Sequence, residues 1–359
     1  FIEPYVHILS IPINATFGVL GVIVAFSIAY DFAKRSKMDA VSSALVAAIA
    51  FMLISIDPKT GALDMDKLGV QGLFTGIIIA FVAVLVQKFL NEKNLVIRLP
   101  ESVPDIVIES FASLIPLIVL VVLLWTVRFV LGIDIQHIVM QIFSPLVFAL
   151  NTLPGILVFT FVVTMLWSVG VNGDVTMSGI GDPIILMYLS ANIAALSDGQ
   201  ALPYITATGF SSAFVQIGGT GATIGLAIVL FNSREPGLRK VSRMSVGPSL
   251  FNINEPIFFG IPIVLNPLLM IPYVFSALFL TAATYILMWY NIIGKPVVMI
   301  PWTTPPILAQ YLVTGGDWRA AVWGGLSIFL CTIIYYPFAK IFEKQRLNAE
   351  AKKESETRI

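Results

Sequence analysis

The sequence predicts an all-α polytopic membrane protein, and three observations carry that prediction. Hydrophobic residues make up 57% of the 359 positions, charged residues only 12%, and the mean hydropathy is +0.91, far outside the range of soluble domains. Apolar stretches of about 20 residues, enough to cross a bilayer core, recur down the whole length. Basic clusters fall between them in the manner of loops retained in the cytoplasm. The 21 basic and 21 acidic residues cancel, so the bulk charge leaves no footprint for a nucleic-acid partner.

In chain order, FIEPYVHILS opens the sequence without a basic n-region or a small-residue cleavage site, so no signal peptide is legible. Starting at Phe1, the chain is expected to begin partway through a longer product. Segment 8–30 is the first span and ends at Lys34, Arg35 and Lys37. Segment 40–56 leads to the acidic loop IDPKTGALDMD, and segment 69–87 runs into Lys88, Lys93 and Arg98. Segment 111–131 follows. Stretch 137–151, broken by Pro145, is too short to span and reads as an interfacial amphipathic helix. Segments 154–170, 183–197 and 206–231 come next, the last ending at the Arg234–Arg243 basic cluster. Segments 263–290 and 318–338 precede the charged tail KIFEKQRLNAEAKKESETRI.

Placing the basic clusters in the cytoplasm gives an even number of crossings between each pair of anchors. The count is nine spans, with Phe1 outside, the C-terminus inside and room for a tenth span upstream.

Three stretches resist a simple hairpin description: 171–182 (VNGDVTMSGIGD), 246–262 (VGPSLFNINEPIFFGIP) and the proline-rich 294–317. Irregular backbone survives at membrane depth only where protein or a water-filled cavity satisfies it, and such polar breaks point to a substrate site. All three follow residue 150, so the prediction is a scaffold half and a working half with re-entrant polar loops.

Glu255 is the leading site candidate, because an ionisable group at bilayer depth costs roughly 2.5–3.5 kcal/mol and needs a partner or a task. The competing reading is that Asn254-Glu255-Pro256 caps a cytosolic turn near Arg243. Asn252 and Asn254 serve either as ligand contacts or as partners for open backbone groups, and residue type does not separate the two. Trp167 at a span end suits an interfacial anchor, and Asn172 in Asn-Gly a turn. Asp182-Pro183 reads as a helix N-cap followed by proline at the first helical position, while Asp174 is open between capping and lining. Trp302 stands on non-helical backbone that displays it, and an indole face suits the C–H face of a pyranose ring. Gln141 lies on the amphipathic stretch, with solvated surface as its competing reading.

GGTGATIGLA (218–227) resembles a phosphate loop but lacks the Lys-Ser/Thr ending, and Gly221 and Gly225 are spaced for close helix packing. His7 and His137 show no metal-ligand spacing, and Cys331, inside an apolar run, reads as buried helix filler. No metal site, cofactor or nucleophilic triad is expected.

FNINEPIFFGIPIVLNPLLMIPYV, with IGGTGATIGLA before it and PWTTPP after it, resembles the membrane component EIIC of bacterial phosphoenolpyruvate-dependent sugar phosphotransferase systems, in its lactose, cellobiose and N,N′-diacetylchitobiose family. The resemblance runs from NATFG (14–18) to YYPF (335–338) and implies a ten-span fold in the inner membrane, the C-terminus cytoplasmic. It implies a homodimer whose first half (1–133) forms the scaffold, an amphipathic linker (134–151), a sugar-binding transport half (152–341) and a cytoplasmic tail (342–359). It also implies that a separate EIIB subunit, phosphorylated on cysteine, modifies the sugar's 6-hydroxyl, so the chain carries no phospho-residue of its own. By match to the family motifs, Glu255 and Asn254 become the sugar-binding pair, Trp302 the stacking ring, Trp167 the tryptophan before the bend, and Gln141 a linker glutamine. The family bend reads Trp-x-x-Gly-x-His-Gly, whereas here Asn172 replaces the histidine in Trp167-Ser-Val-Gly170-Val-Asn172-Gly173.

The expected function is therefore binding of a β-linked disaccharide or related glycoside, transport, and presentation of the sugar for phosphorylation with Glu255 as catalytic contact. Two alternatives belong to other classes: an ion-coupled sugar symporter with Glu255 carrying the proton, and a non-transporting membrane receptor that kept the fold.

Overall fold

A computed structural model describes residues 15–95 and 113–357. His7, Arg98 and the opening residues of segments 8–30 and 111–131 lie outside the described residues. The regular elements described are helical, apart from one isolated bridge between Ile56 and Leu63. Two compact units divide the chain, Phe1–Pro145 and Leu146–Ile359.

In the first unit, α1 (Leu20–Arg35) carries Gly21, Ala25, Ala29 and Ala33 on one face at four-residue spacing, and all four are buried. That spacing places small side chains in a single stripe, against which α2 (Ala40–Ile54) and α4 (Leu73–Glu92) approach closely. A Cβ added at Gly21 would lie 2.7 Å from the Leu68 carbonyl oxygen, so glycine is needed where the short α3 (Met65–Leu68) meets α1. Asp39 caps α2 through the Ser42 N–H at 2.6 Å, and Ser43 hydrogen-bonds Gln87 across the packed face at 2.9 Å.

α5 (Leu114–Trp125) runs into a π-helical turn, Thr126–Val130, and the axis then bends by 82° into α6 (Ile135–Leu150). Asp134 in the bend accepts Lys67 Nζ at 2.8 Å and the buried Arg128 guanidinium at 3.0 Å. Gln136 adds bonds to the Ser55 hydroxyl and the Lys67 carbonyl. This cluster joins two loops that the charge pattern places on one face of the membrane. The stretch read as too short and proline-broken is a continuous helix with Pro145 inside it.

The second unit contains α7 (Leu153–Ser168), α8 (Gly173–Ser197), α9 (Ile224–Leu230), α10 (Pro236–Ser249), α11 (Glu255–Gly260), α12 (Pro267–Trp289), α13 (Leu308–Val313) and α14 (Trp318–Thr357). The N-termini of α7, α8 and α12 are capped by Thr152, Asn172 and Asn266, each side-chain oxygen accepting a first-turn N–H. Glu235 caps α10 through the Gly237 and Leu238 N–H groups. Burial alone would raise its carboxyl, but those two donors, together with a side-chain hydrogen bond with Glu350 and the nearby Arg346 charge, hold it below the usual carboxylate range.

Four expectations change here. Asp182-Pro183 does not start a helix: α8 begins ten residues earlier under the Asn172 cap and continues through Pro183. Most of the polar stretch 171–182 is therefore helix. Segment 206–231 is not a single span but a π-helical turn (Phe210–Val215), a glycine loop and the seven-residue α9. The charged tail continues α14 as helix to Thr357. Gly225 packs closely as expected, since a Cβ there would sit 2.7 Å from the Cys331 carbonyl carbon of α14. Gly221, in contrast, lies in the loop at φ +81°.

Buried and half-buried side-chain amides satisfy the non-helical backbone. Asn192 bonds the Tyr204 and Pro296 carbonyls and the Tyr204 N–H. Asn151 accepts Ile205 N–H, and Gln310 donates to the Ala213 carbonyl. Among the described residues, five helices are long and apolar enough to cross a membrane, and the bent pair α5–α6 passes the same test jointly. Helices α2 and α7, of 15 and 16 residues, fall just below the usual span length of about 17.

Candidate functional site

α7 ends at Ser168, and the chain turns through Gly170 at φ +88° before Asn172 caps α8. This turn sets Trp167 opposite the first turn of α8, where the indole Nε1 donates to Asp174 Oδ2 at 2.8 Å. The same carboxylate accepts Thr220 Oγ1 on Oδ2 at 2.5 Å and Gln216 Nε2 on Oδ1 at 2.6 Å. Both of those donors come from the glycine loop between the π-helical turn and α9.

The loop is fixed from its other side by the two asparagines. Asn252 Oδ1 accepts the Gly218 N–H at 2.9 Å, and its Nδ2 donates to the Trp302 and Thr304 carbonyls at 2.7 and 3.3 Å. Asn254 Nδ2 donates to the Thr220 carbonyl at 2.9 Å. Gly219, at φ +99°, lies directly over Asn254, and a Cβ there would come within 2.4 Å of the asparagine's own Cβ. A side chain at 219 would push Asn254 out of place. The network therefore ties the α7–α8 turn, the glycine loop, the segment before α11 and the Trp302 turn into one constellation.

Trp167 is 7% exposed and meets Phe258 of α11 edge-on, with centroids 5.1 Å apart. Phe258 in turn contacts Tyr273 of α12, whose buried hydroxyl has no hydrogen-bond partner among the described residues. Glu255, the first residue of α11, is exposed and makes no hydrogen bond or ion pair among the described residues. Trp302 is 58% exposed, held by its backbone carbonyl with the ring free. Glu255 and Trp302 thus sit exposed on backbone segments that the amides of Asn252 and Asn254 hold in place.

The sequence of the chain matches the family "Phosphotransferase system, EIIC" over residues 1–277. The chain belongs to the EIIC family of the phosphotransferase system. It is 34% identical to the lichenan permease IIC component of Bacillus subtilis, over 95% of this chain and 80% of that protein. It is 33% identical to the cellobiose-specific EIIC component of Geobacillus stearothermophilus, over 98% of this chain and 82% of the relative. Among solved structures it is similar to the transporter ChbC, the IIC component of the N,N′-diacetylchitobiose-specific system, with a TM-score of 0.90 and 32% identity over 96% of this chain and 84% of that one. Family membership makes this EIIC chain an integral membrane protein of sugar transport.

Of the six residues singled out in this EIIC sequence, Trp167, Asn254 and the Trp302 backbone join the hydrogen-bonded constellation, and Glu255 follows Asn254 directly. Asn172 stands at its edge, exposed, with its side-chain oxygen committed to the Val175 N–H as helix cap. Gln141 belongs to the first unit, on an exposed position of α6. Gln216 and Thr220 were not anticipated. Their signal is a glutamine just before the glycine run and a threonine inside it, in a stretch whose glycines alone suggest phosphate binding or close packing.

Proposed function

We propose that this EIIC chain binds a β-linked disaccharide or related glycoside, carries it across the inner membrane and presents its 6-hydroxyl to a phosphorylated EIIB subunit. The observation that carries the reading is that a carboxylate, Glu255, and an indole, Trp302, are both exposed on backbone that Asn252 and Asn254 tie to the same glycine loop. An indole face suits a pyranose ring and flanking polar groups hold its hydroxyls. The named substrates of the relatives, lichenan, cellobiose and diacetylchitobiose, are all β-linked saccharides. Trp167, Asn172 and Gln141 complete the substrate-binding set in this reading, with residues 152–341 as the transport half, 134–151 as linker and 342–359 as cytoplasmic tail. Residues 1–133 form the scaffold of a homodimer, and the nine spans belong to a ten-span fold with a cytoplasmic C-terminus.

Phosphoryl transfer asks for an in-line nucleophile and little covalent help from the protein. Glu255 orients the 6-hydroxyl and accepts its proton as the phosphoryl group arrives from EIIB. The decisive experiment measures binding of cellobiose, N,N′-diacetylchitobiose and lactose to purified protein, followed by phosphorylation with the cognate EIIB. Glu255→Gln is expected to abolish phosphorylation and weaken binding at least several-fold, since a charge-assisted hydrogen bond contributes roughly 1.5–3 kcal/mol. A near-wild-type phosphorylation rate in the mutant would remove Glu255 from the mechanism. Sugar accumulating unmodified in vesicles would favour a symporter instead.

A further inference from the structure

We infer that Asp174 is a positioning residue of the sugar site, holding Trp167, Gln216 and Thr220 in the one arrangement that sets where Asn254 and Glu255 meet the sugar. The inference rests on the sugar-binding reading of that site.

An aspartate in the first turn of a helix is ordinarily a favourable charge at the dipole's positive end or a cap. Asp174 does stand in the first turn of α8, but neither description accounts for the side-chain donors it gathers. The cap of α8 is already made by Asn172, whose Oδ1 takes the Val175 N–H. Asp174 instead receives three side-chain donors, an indole N–H at 2.8 Å, an amide N–H at 2.6 Å and a hydroxyl at 2.5 Å. Two of the donors lie 42 and 46 residues away in sequence. All three contacts use the carboxylate as acceptor, and an ionised carboxylate is the short side chain that accepts on both oxygens without offering a donor.

From this point the contacts lead to the proposed ligand groups by two routes. Along the first, Trp167 is held at its N–H edge by Asp174 and meets Phe258 with its ring; Phe258 lies on α11 three residues beyond Glu255. Along the second, the Thr220 hydroxyl is on Asp174 while the Thr220 carbonyl receives Asn254 Nδ2. Releasing the carboxylate frees both supports of the Asn254-Glu255 pair without removing any group that would touch the sugar.

The isosteric Asp174→Asn replaces one acceptor oxygen with an NH2 group, which then faces a donor in either orientation. The test uses purified full-chain protein in detergent, with cellobiose and N,N′-diacetylchitobiose as probes and the Trp167 emission spectrum as a second readout, obtained by difference against Trp167→Phe. Asp174→Asn is expected to lower sugar affinity about tenfold or more, the scale of one charge-assisted hydrogen bond, and to shift the Trp167 emission. Thr220→Val, which keeps the carboxylate and removes one donor, is expected to lower affinity less, and the double mutant to fall short of the sum. Wild-type affinity and unmoved Trp167 emission in Asp174→Asn would overturn the inference. Should that variant not be monodisperse, wild-type affinity in a monodisperse Thr220→Val would overturn it instead. If the wild type binds none of the sugars, the sugar reading fails on its own, and the Trp167 emission of Asp174→Asn still decides whether the carboxylate positions the indole.

Discussion

Asn252 spends both ends of its amide on backbone, the Gly218 N–H on one side and the Trp302 and Thr304 carbonyls on the other. At this residue the choice left open by residue type, ligand contact or backbone partner, resolves to backbone partner, with φ +59° placing the side chain between the two loops. Asn254 gives one amide hydrogen to Thr220 and is 4% exposed. Glu255 and Trp302 were legible as candidates because each is a polar or aromatic residue where an apolar run or a helix should continue. Asp174 is open between capping and lining in the sequence, because its role is defined by donors from Gln216 and Thr220 that no local pattern reveals. Asn252→Ala strands the buried Gly218 N–H, and an unsatisfied buried group costs about 1–3 kcal/mol. The expected outcome is a lower thermal midpoint together with weaker sugar binding, because the Trp302 turn loses its anchor. A melting curve superposable on wild type would show that the turn is held by other contacts.

At the scale of elements, regular helices were legible wherever one face is uniformly small or apolar, as in the Gly21-Ala25-Ala29-Ala33 stripe of α1. Segment 206–231 defeated the same reasoning. Its composition is that of a span, since buried irregular backbone and a membrane helix are equally apolar; what separates them is glycine at positive φ, at 209, 218, 219 and 221, and distant amides such as Asn252 and Gln310 that satisfy the open backbone. Asp182-Pro183 misled for a related reason. A cap-plus-proline signature marks a helix start in water, but a proline inside a membrane helix is tolerated when neighbouring groups re-satisfy the backbone. The glycines give a paired test. Gly225→Val must separate α9 from α14, because the nearest atoms to its Cβ are Cys331 and Thr332 backbone, and overpacking of this kind costs typically 1–3 kcal/mol. Gly247→Ala in α10 meets nothing within 4 Å and is expected to be neutral or to stabilise by up to about 1 kcal/mol. Equal melting temperatures for the two variants would contradict the close α9–α14 contact.

For the whole molecule, composition already carries the fold class, a helical membrane protein, and charge order supplies an expected sidedness. They do not supply the way the second unit interrupts its helices, which depends on long-range hydrogen bonds. Within the first unit, the Lys67–Asp134–Arg128 cluster requires loops 55–72 and 131–134 to lie together, and the positive-inside assignment sends both to the outer face. Lys34 and Lys240 fall on the cytoplasmic face in the same assignment. Thr60, Lys34 and Lys240 are exposed, so single cysteines there report sidedness directly. The native Cys331 is fully buried, and replacing it with serine removes any background labelling. In intact cells, a cysteine at Thr60 is expected to react with a membrane-impermeant maleimide, while those at Lys34 and Lys240 react only after permeabilisation. Labelling at position 240 from outside would reverse the second unit and place the Asn254-Glu255 pair out of reach of a cytoplasmic phosphoryl donor. Labelling at 34 and 60 from the same side would instead remove the crossing by α2, the 15-residue helix whose length alone does not secure a span.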